Sequence, residues 1–162
     1  MTQLSRHFTL EELTHSDTAD RRHIPNAPLP VHLANMTDYL APGLEQIREI
    51  CGNRPMNIHD AYRCPAVNAI VGGTPTSAHP MGFAADFDIP GEAPAVTAKR
   101  IAQAMKDGKL RIDQLILESG RGTVHVSFDP RGAPRGQPSK ARGMMGHQPG
   151  AAGTPIDWEF FK

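Results

Sequence analysis

At 162 residues the chain is long enough to bury one core without disulfides and too short for several domains. Seventeen basic residues balance seventeen acidic ones, a formal net charge of zero, which argues against a global electrostatic grip on nucleic acid or on an anionic membrane. The two cysteines, Cys51 and Cys64, are too few for a disulfide scaffold and lack the spacing of a zinc ribbon, so both are expected as reduced thiols.

Residues 1–13 carry no apolar run behind a basic segment, and no window approaches the roughly 18 consecutive apolar residues of a membrane span. Synthesis in the cytoplasm without a signal peptide is the resulting expectation. Thr9 followed by Glu12 has the spacing of a capping box, with Phe8, Leu10 and Leu13 anchoring the short helix it opens. After the proline-rich stretch 25–30, Leu33, Met36, Leu40, Leu44, Ile47 and Ile50 recur at helical steps. Pro42 and Gly43 sit inside that pattern and predict a kink or a two-segment helix ended by Gly52 and Asn53.

Residues 56–62 read as a strand, 65–71 as a helical turn stopped by Gly72 and Gly73, and 84–89 as a second strand. In that second strand, alternation puts Asp86 and Asp88 on one face and Phe87 and Ile89 on the other. Residues 94–106 predict a helix closed by Gly108, and 112–118 with 123–128 predict a hairpin turning at Arg121 and Gly122. From 129 to 153 the composition shifts to glycine, proline and basic residues without apolar periodicity, the pattern of a long loop or arm. Its basic part, 131–142, could attract an anionic polymer or serve as a solvated linker. Ile156, Trp158, Phe160 and Phe161 then form an apolar anchor over 154–162. The element order implies an α+β domain over 1–128, with a small, mainly antiparallel sheet and flanking helices. A monomer is expected.

The segment from Ser77 to Asp86 puts an imidazole, His79, on a turn and a carboxylate, Asp86, on the strand that follows, and both can reach one cation. Zinc accepts such nitrogen and oxygen donors, and its catalytic sites use three protein ligands and keep a fourth position open. His125 is the best third donor, because Val124 and Val126 on either side would point to the opposite face. Spacing alone does not separate a ligand from a packed strand histidine.

Ser77-Ala78-His79-Pro80-Met81-Gly82-Phe83-Ala84-Ala85-Asp86 matches every fixed position of the S-x-H-x-x-G-x-A-x-D signature, and so resembles the zinc D-alanyl-D-alanine peptidases. That family includes carboxypeptidases and phage endolysins on a Hedgehog-like fold. The stretch Tyr62-Arg63-Cys64-Pro65-Ala66-Val67-Asn68 through Val71-Gly72-Gly73 is similar to the family's Y-R-S-P-x-x-N-x-x-V-G-G, and Val124-His125-Val126 resembles its third-ligand strand. The resemblance covers about 8–128.

The resemblance implies one zinc ion held by His79, Asp86 and His125, with Arg63 gripping a substrate carbonyl or carboxylate and steadying the oxyanion. A guanidinium, always charged and with fixed donors, suits that task. Ser77 either hydrogen-bonds substrate, orients a ligand or merely caps the turn. Many relatives carry an acid or histidine two or three positions before the last ligand, where this chain has Gly122 and Thr123. A hairpin turning at 121–122 would instead set Glu118 directly opposite His125, a position from which a carboxylate can act as general base. Asp88 competes for that role, and the preferred expectation for it is support of a ligand histidine. His59 lies near Arg63 and reads more readily as a half-buried strand histidine than as a cleft residue.

The implied substrate is the stem peptide of peptidoglycan, and the implied activity is that of an endopeptidase of phage-endolysin type, acting on the wall of an infected host. A carboxypeptidase removing terminal D-alanine, and an inactive zinc-containing wall-binding or phage structural module, are the alternatives.

Overall fold

Pro30 opens and Pro42 interrupts the long amphipathic stretch that packs against the sheet. The computed structural model describes residues 1–131, 144–151 and 153–162. Most of the predicted basic arm, residues 132–142, lies outside the described residues. Helices α1 (Leu10–Thr14) and α2 (Asp17–Arg22) open the chain, and the Thr9 hydroxyl accepts from the Glu12 N–H as the sequence led one to expect. Helix α3 (Pro30–Asn35) runs through a π-helical turn, Met36–Leu40, into α4 (Ala41–Ile50). The π turn sits immediately ahead of Pro42, with the Ala41 N–H bonded to the Met36 carbonyl, so the proline is accommodated by widening the helix and not by ending it.

Five strands form one sheet in the order β1-β2-β4-β3-β5: β1 (Asn57–Asp60), β2 (Ala84–Asp88), β3 (Gln114–Glu118), β4 (Thr123–Ser127) and β5 (Met144–His147). The first four pair antiparallel, and β5 joins β3 in parallel. The expected α+β class with a mainly antiparallel sheet is the one observed. Short helix α5 (Pro65–Ile70) follows β1, and α6 (Pro94–Lys106) connects β2 to β3 with the bounds that periodicity predicts.

Alternation divides the sheet into two faces. Ala85, Phe87, Leu115, Leu117, Val124 and Val126 point to one side and join Leu44, Ile47, Ala98 and Ile101 of α4 and α6 in a single buried cluster. The opposite face carries Asp86, Ile116, Glu118 and His125.

Two expectations need correction. The hairpin is slipped by two residues, so that Glu118 pairs with Thr123 and Ile116, not Glu118, stands opposite His125. The turn spans Ser119 to Gly122, with Arg121 N–H bonded to the Glu118 carbonyl and Gly122 in the left-handed region at φ 72°. A slip of two keeps every side chain on its face, so Glu118 still looks toward the histidine. The stretch 129–153 is not loop throughout, because Met144–His147 is recruited as an edge strand by the open side of β3. Such a short glycine-containing segment has no pattern of its own, and tertiary pairing decides its conformation.

Gly43 in α4 lies under the Phe128 ring, and a Cβ there would come within 2.3 Å of a ring carbon. Gly43→Ala should therefore lower stability by about 1–3 kcal/mol despite the better helix propensity of alanine, as read by urea unfolding.

Candidate metal centre

The centre is built on strand pairing. Asp86 of β2 pairs directly with Asp60 of β1 on one side and with His125 of β4 on the other, so these three share a row and a face. His79 arrives from a 3₁₀ turn, His79–Met81, that leads into β2. Gly82 ends that turn at φ 77°, and a Cβ on it would sit 2.6 Å from the His32 carbonyl oxygen. Glycine is thus required on two counts at this position of the signature. Gly73 has a similar reason: a Cβ there would lie 2.1 Å from the Asn68 side-chain oxygen, while the Asn68 amide donates to the Thr74 carbonyl at 3.0 Å. Asn68 and Gly73 together shape the loop that delivers His79.

His79, Asp86 and His125 are all buried, and one donor atom from each lies within 4.8 Å of the other two. His79 Nδ1–H donates to the Ala61 carbonyl at 2.6 Å, which leaves Nε2 bare and 3.3 Å from Asp86 Oδ1. His125 Nδ1 is 2.7 Å from the same oxygen. Donors around one zinc at about 2.1 Å stand about 3.4 Å apart in a tetrahedron; the 3.3 Å from His79 Nε2 to Asp86 Oδ1 matches that spacing, while the 2.7 Å from His125 Nδ1 is the length of a hydrogen bond. Asp86 Oδ2 and His125 Nε2 have no hydrogen-bond partner among the described residues, with Arg121 standing 3.5 Å from the former, and a buried set of two imidazoles and a carboxylate with bonding capacity to spare fits the nitrogen and oxygen donors that zinc accepts.

Burial pushes the Asp86 carboxyl up, but His79 and His125 outweigh it and hold it well below the usual carboxylate range. Burial lowers the His79 imidazole below its ordinary value, Asp86 opposing, so the neutral ring that a metal needs is the favoured one.

The other predicted site residues fall around this cluster with one exception. Arg63 is buried, its guanidinium donating to Asp60 Oδ2 at 2.9 Å, and its Nε–H has no partner among the described residues. Asn26 holds the backbone here, its amide donating to the Tyr62 carbonyl at 3.0 Å and its oxygen accepting from the Cys64 N–H at 2.7 Å. Ser77 accepts from the His79 N–H at 3.3 Å and also lines the cleft. Glu118 is buried beside the centre, accepting from the Thr123 hydroxyl at 2.7 Å and from Arg121 at 3.1 Å. Burial and then the Asp86 charge push its carboxyl up, the direction suited to a proton carrier. Asp88 is the exception: it pairs with His59 away from the cluster, and the Ala61 carbonyl instead orients His79.

Three contributors went unnoticed in the sequence. Asp60 anchors Arg63, and Arg121 bridges Glu118 and Asp86 Oδ2, the latter at 3.5 Å. The third is the C-terminal segment, which supplies Gln148 and Ile156 to the same cleft of about 240 Å³. The only available sequence signal was the three-residue step from Asp60 to Arg63 and from Glu118 to Arg121, too common to stand out.

A family model described as Peptidase M15 matches residues 6–127. The chain belongs to the Peptidase M15 family. A search of curated proteins gave no significant match. The family is one of zinc metallopeptidases, and this member carries a buried His-Asp-His cluster able to bind a metal.

Two outcomes follow for the Peptidase M15 centre. Gly82→Ala should cost roughly 1–2 kcal/mol from the left-handed backbone alone. It should also weaken zinc binding in calorimetry, because the turn carrying His79 must move. Zinc at about a hundred times its dissociation constant should stabilise the wild type by about 2.7 kcal/mol, seen as a melting-temperature rise that a chelator reverses.

Proposed function

We propose that the protein is a zinc-dependent peptidoglycan peptidase, an endopeptidase that hydrolyses bonds within the stem peptide. The observation that supports it is the single cleft in which the three buried donors His79, Asp86 and His125 stand with a buried carboxylate, Glu118, and a buried guanidinium, Arg63. When bound, zinc supplies Lewis acidity, polarising a carbonyl and making water acidic enough to attack at neutral pH.

The chain's own residues do the rest. Arg63, held on Asp60, donates to the carbonyl oxygen as negative charge builds on it. Glu118 takes a proton from the attacking water and passes it to the departing amine, which restores the carboxylate. Thr123 and Arg121 fix the Glu118 side chain for both transfers. Ser77 holds the His79 turn.

The wall substrate rests on the family's signature and not on any distance in the cleft. On this reading the enzyme is a monomer of phage-endolysin type, made in the cytoplasm and acting on the wall of the infected cell.

Metal-loaded protein incubated with purified peptidoglycan should release fragments cut inside the stem, identified by mass spectrometry, and chelation should stop release. Glu118→Gln should lower kcat by about 10²- to 10⁴-fold with zinc content unchanged. Release of free alanine alone would identify a carboxypeptidase, and no metal-dependent release from any wall type would leave a binding or structural module.

A further inference from the structure

The family match ends at residue 127, yet the cleft does not. One row of paired residues crosses all five strands: Asp60, Asp86, His125, Ile116 and Gly146. Directly paired residues share a face, so the Cα–Hα position of Gly146 that would bear a side chain looks the same way as His125. With strands about 4.8 Å apart, Gly146 stands about 14 Å from Asp86, and Arg63 lies beyond Asp60 at the other edge.

Gly146 carries no side chain because the C-terminal segment lies on top of it. A Cβ there would come within 2.6 Å of Ile156 and 2.7 Å of the Trp158 ring. Reciprocal backbone hydrogen bonds between His147 and Asp157, at 2.9 and 2.8 Å, fold the segment back over the strand. The Gln148 N–H donates to the Leu117 carbonyl at 2.8 Å, and its side-chain amide donates to the Thr154 carbonyl at 2.7 Å. Ser119 Oγ and His147 Nε2 are 2.7 Å apart, which ties the segment to the turn that follows Glu118. The result is a fixed wall in which Gln148 and Ile156 join Gln114 and Ile116 in lining the cleft.

This wall is uncharged. Among the described lining residues on that side, the one cation is Arg121, and it is engaged by Glu118 and Asp86. A terminal carboxylate placed there would lose its hydration with no free cation among the described lining residues to replace it, whereas a continuing peptide meets amide groups and apolar surface.

Resting on the peptidase reading above, we propose that Gln148 and Ile156 are specificity-determining residues. They form the wall against which an uncharged continuing stretch of substrate peptide lies, on the side of the metal centre away from Arg63.

The test uses the full-length, zinc-loaded protein and soluble muropeptides of two cross-linked stems. Ile156→Ala and Gln148→Ala should each raise KM about tenfold, the effect of removing a few contacts from a specificity pocket, while kcat stays within about twofold. Zinc content and melting temperature serve as folding controls, and Ile156→Val should restore most of the affinity if the alanine variant is unstable. Trp158, the sole tryptophan, is an independent reporter: saturable quenching by muropeptide is expected in the wild type and a weaker response in both alanine variants. An active enzyme whose KM is unchanged in both alanine variants would overturn the wall while leaving the peptidase intact. If the wild type hydrolyses nothing, the peptidase reading fails, and the quenching alone then decides: variant-sensitive quenching supports the wall, and its absence overturns it.

Discussion

The register between β1, β2 and β4 is the constraint on which the rest depends. Because Asp86 pairs with Asp60 on one side and His125 on the other, one row delivers the shared acidic donor, its histidine neighbour and the anchor of Arg63 to a single face. A slip of one residue in either pairing would turn these groups into the hydrocarbon core and bring Phe87 or Val124 out in their place. The apolar face packed on α4 and α6 opposes such a slip, so the core that stabilises the domain also aligns the centre.

Holding charge in that position is costly, and the structure spreads the cost over several partners. Asp86 is fully buried, and burial acts against its ionised form, yet two imidazoles and the nearby Arg121 keep it charged. Asp60, half-buried on one side, and Glu118, buried on the other, are pushed up by desolvation and each is matched by an arginine three residues on. The centre is therefore flanked by two carboxylate–guanidinium pairs. On the proposed chemistry one pair presents its cation, Arg63, to the substrate and the other its carboxylate, Glu118, whose partner Arg121 also lines the cleft but is engaged by Asp86.

The glycines of the signature belong to the same economy of space. Gly82 lets the His79 turn close against the backbone of α3, and Gly73 lets the preceding loop pack on Asn68. Gly146, outside the family match, plays a comparable part for the C-terminal segment by leaving room for Ile156 and Trp158. Backbone approach, not side-chain chemistry, is what these positions require.

Much was legible in the sequence because it is local. Helical periodicity marked α4 and α6, alternation marked the faces of β2 and β4, and the spacing from Ser77 to Asp86 pointed to the donors and, through resemblance, to the family. Pairing between distant segments was not legible. The Glu118 hairpin was displaced by two residues because a four-residue turn and a two-residue turn leave the same alternation in the chain. Asp88 shares a face with Asp86, but whether it meets a ligand histidine or His59 depends on the bulged pairing with β1. Strand β5, with Gln148 and Ile156 behind it, carries no periodicity at all, and only the unpaired edge of β3 turns it into part of the cleft. The sequence by itself determined the fold class and the face each strand residue occupies, since these follow from short-range spacing, and it named the donor residues through the resemblance of their motifs to the family's. The partners of Arg63 and Glu118, and the wall beyond Ile116, were decided by tertiary structure, because hydrogen bonding between strands is blind to separation along the chain.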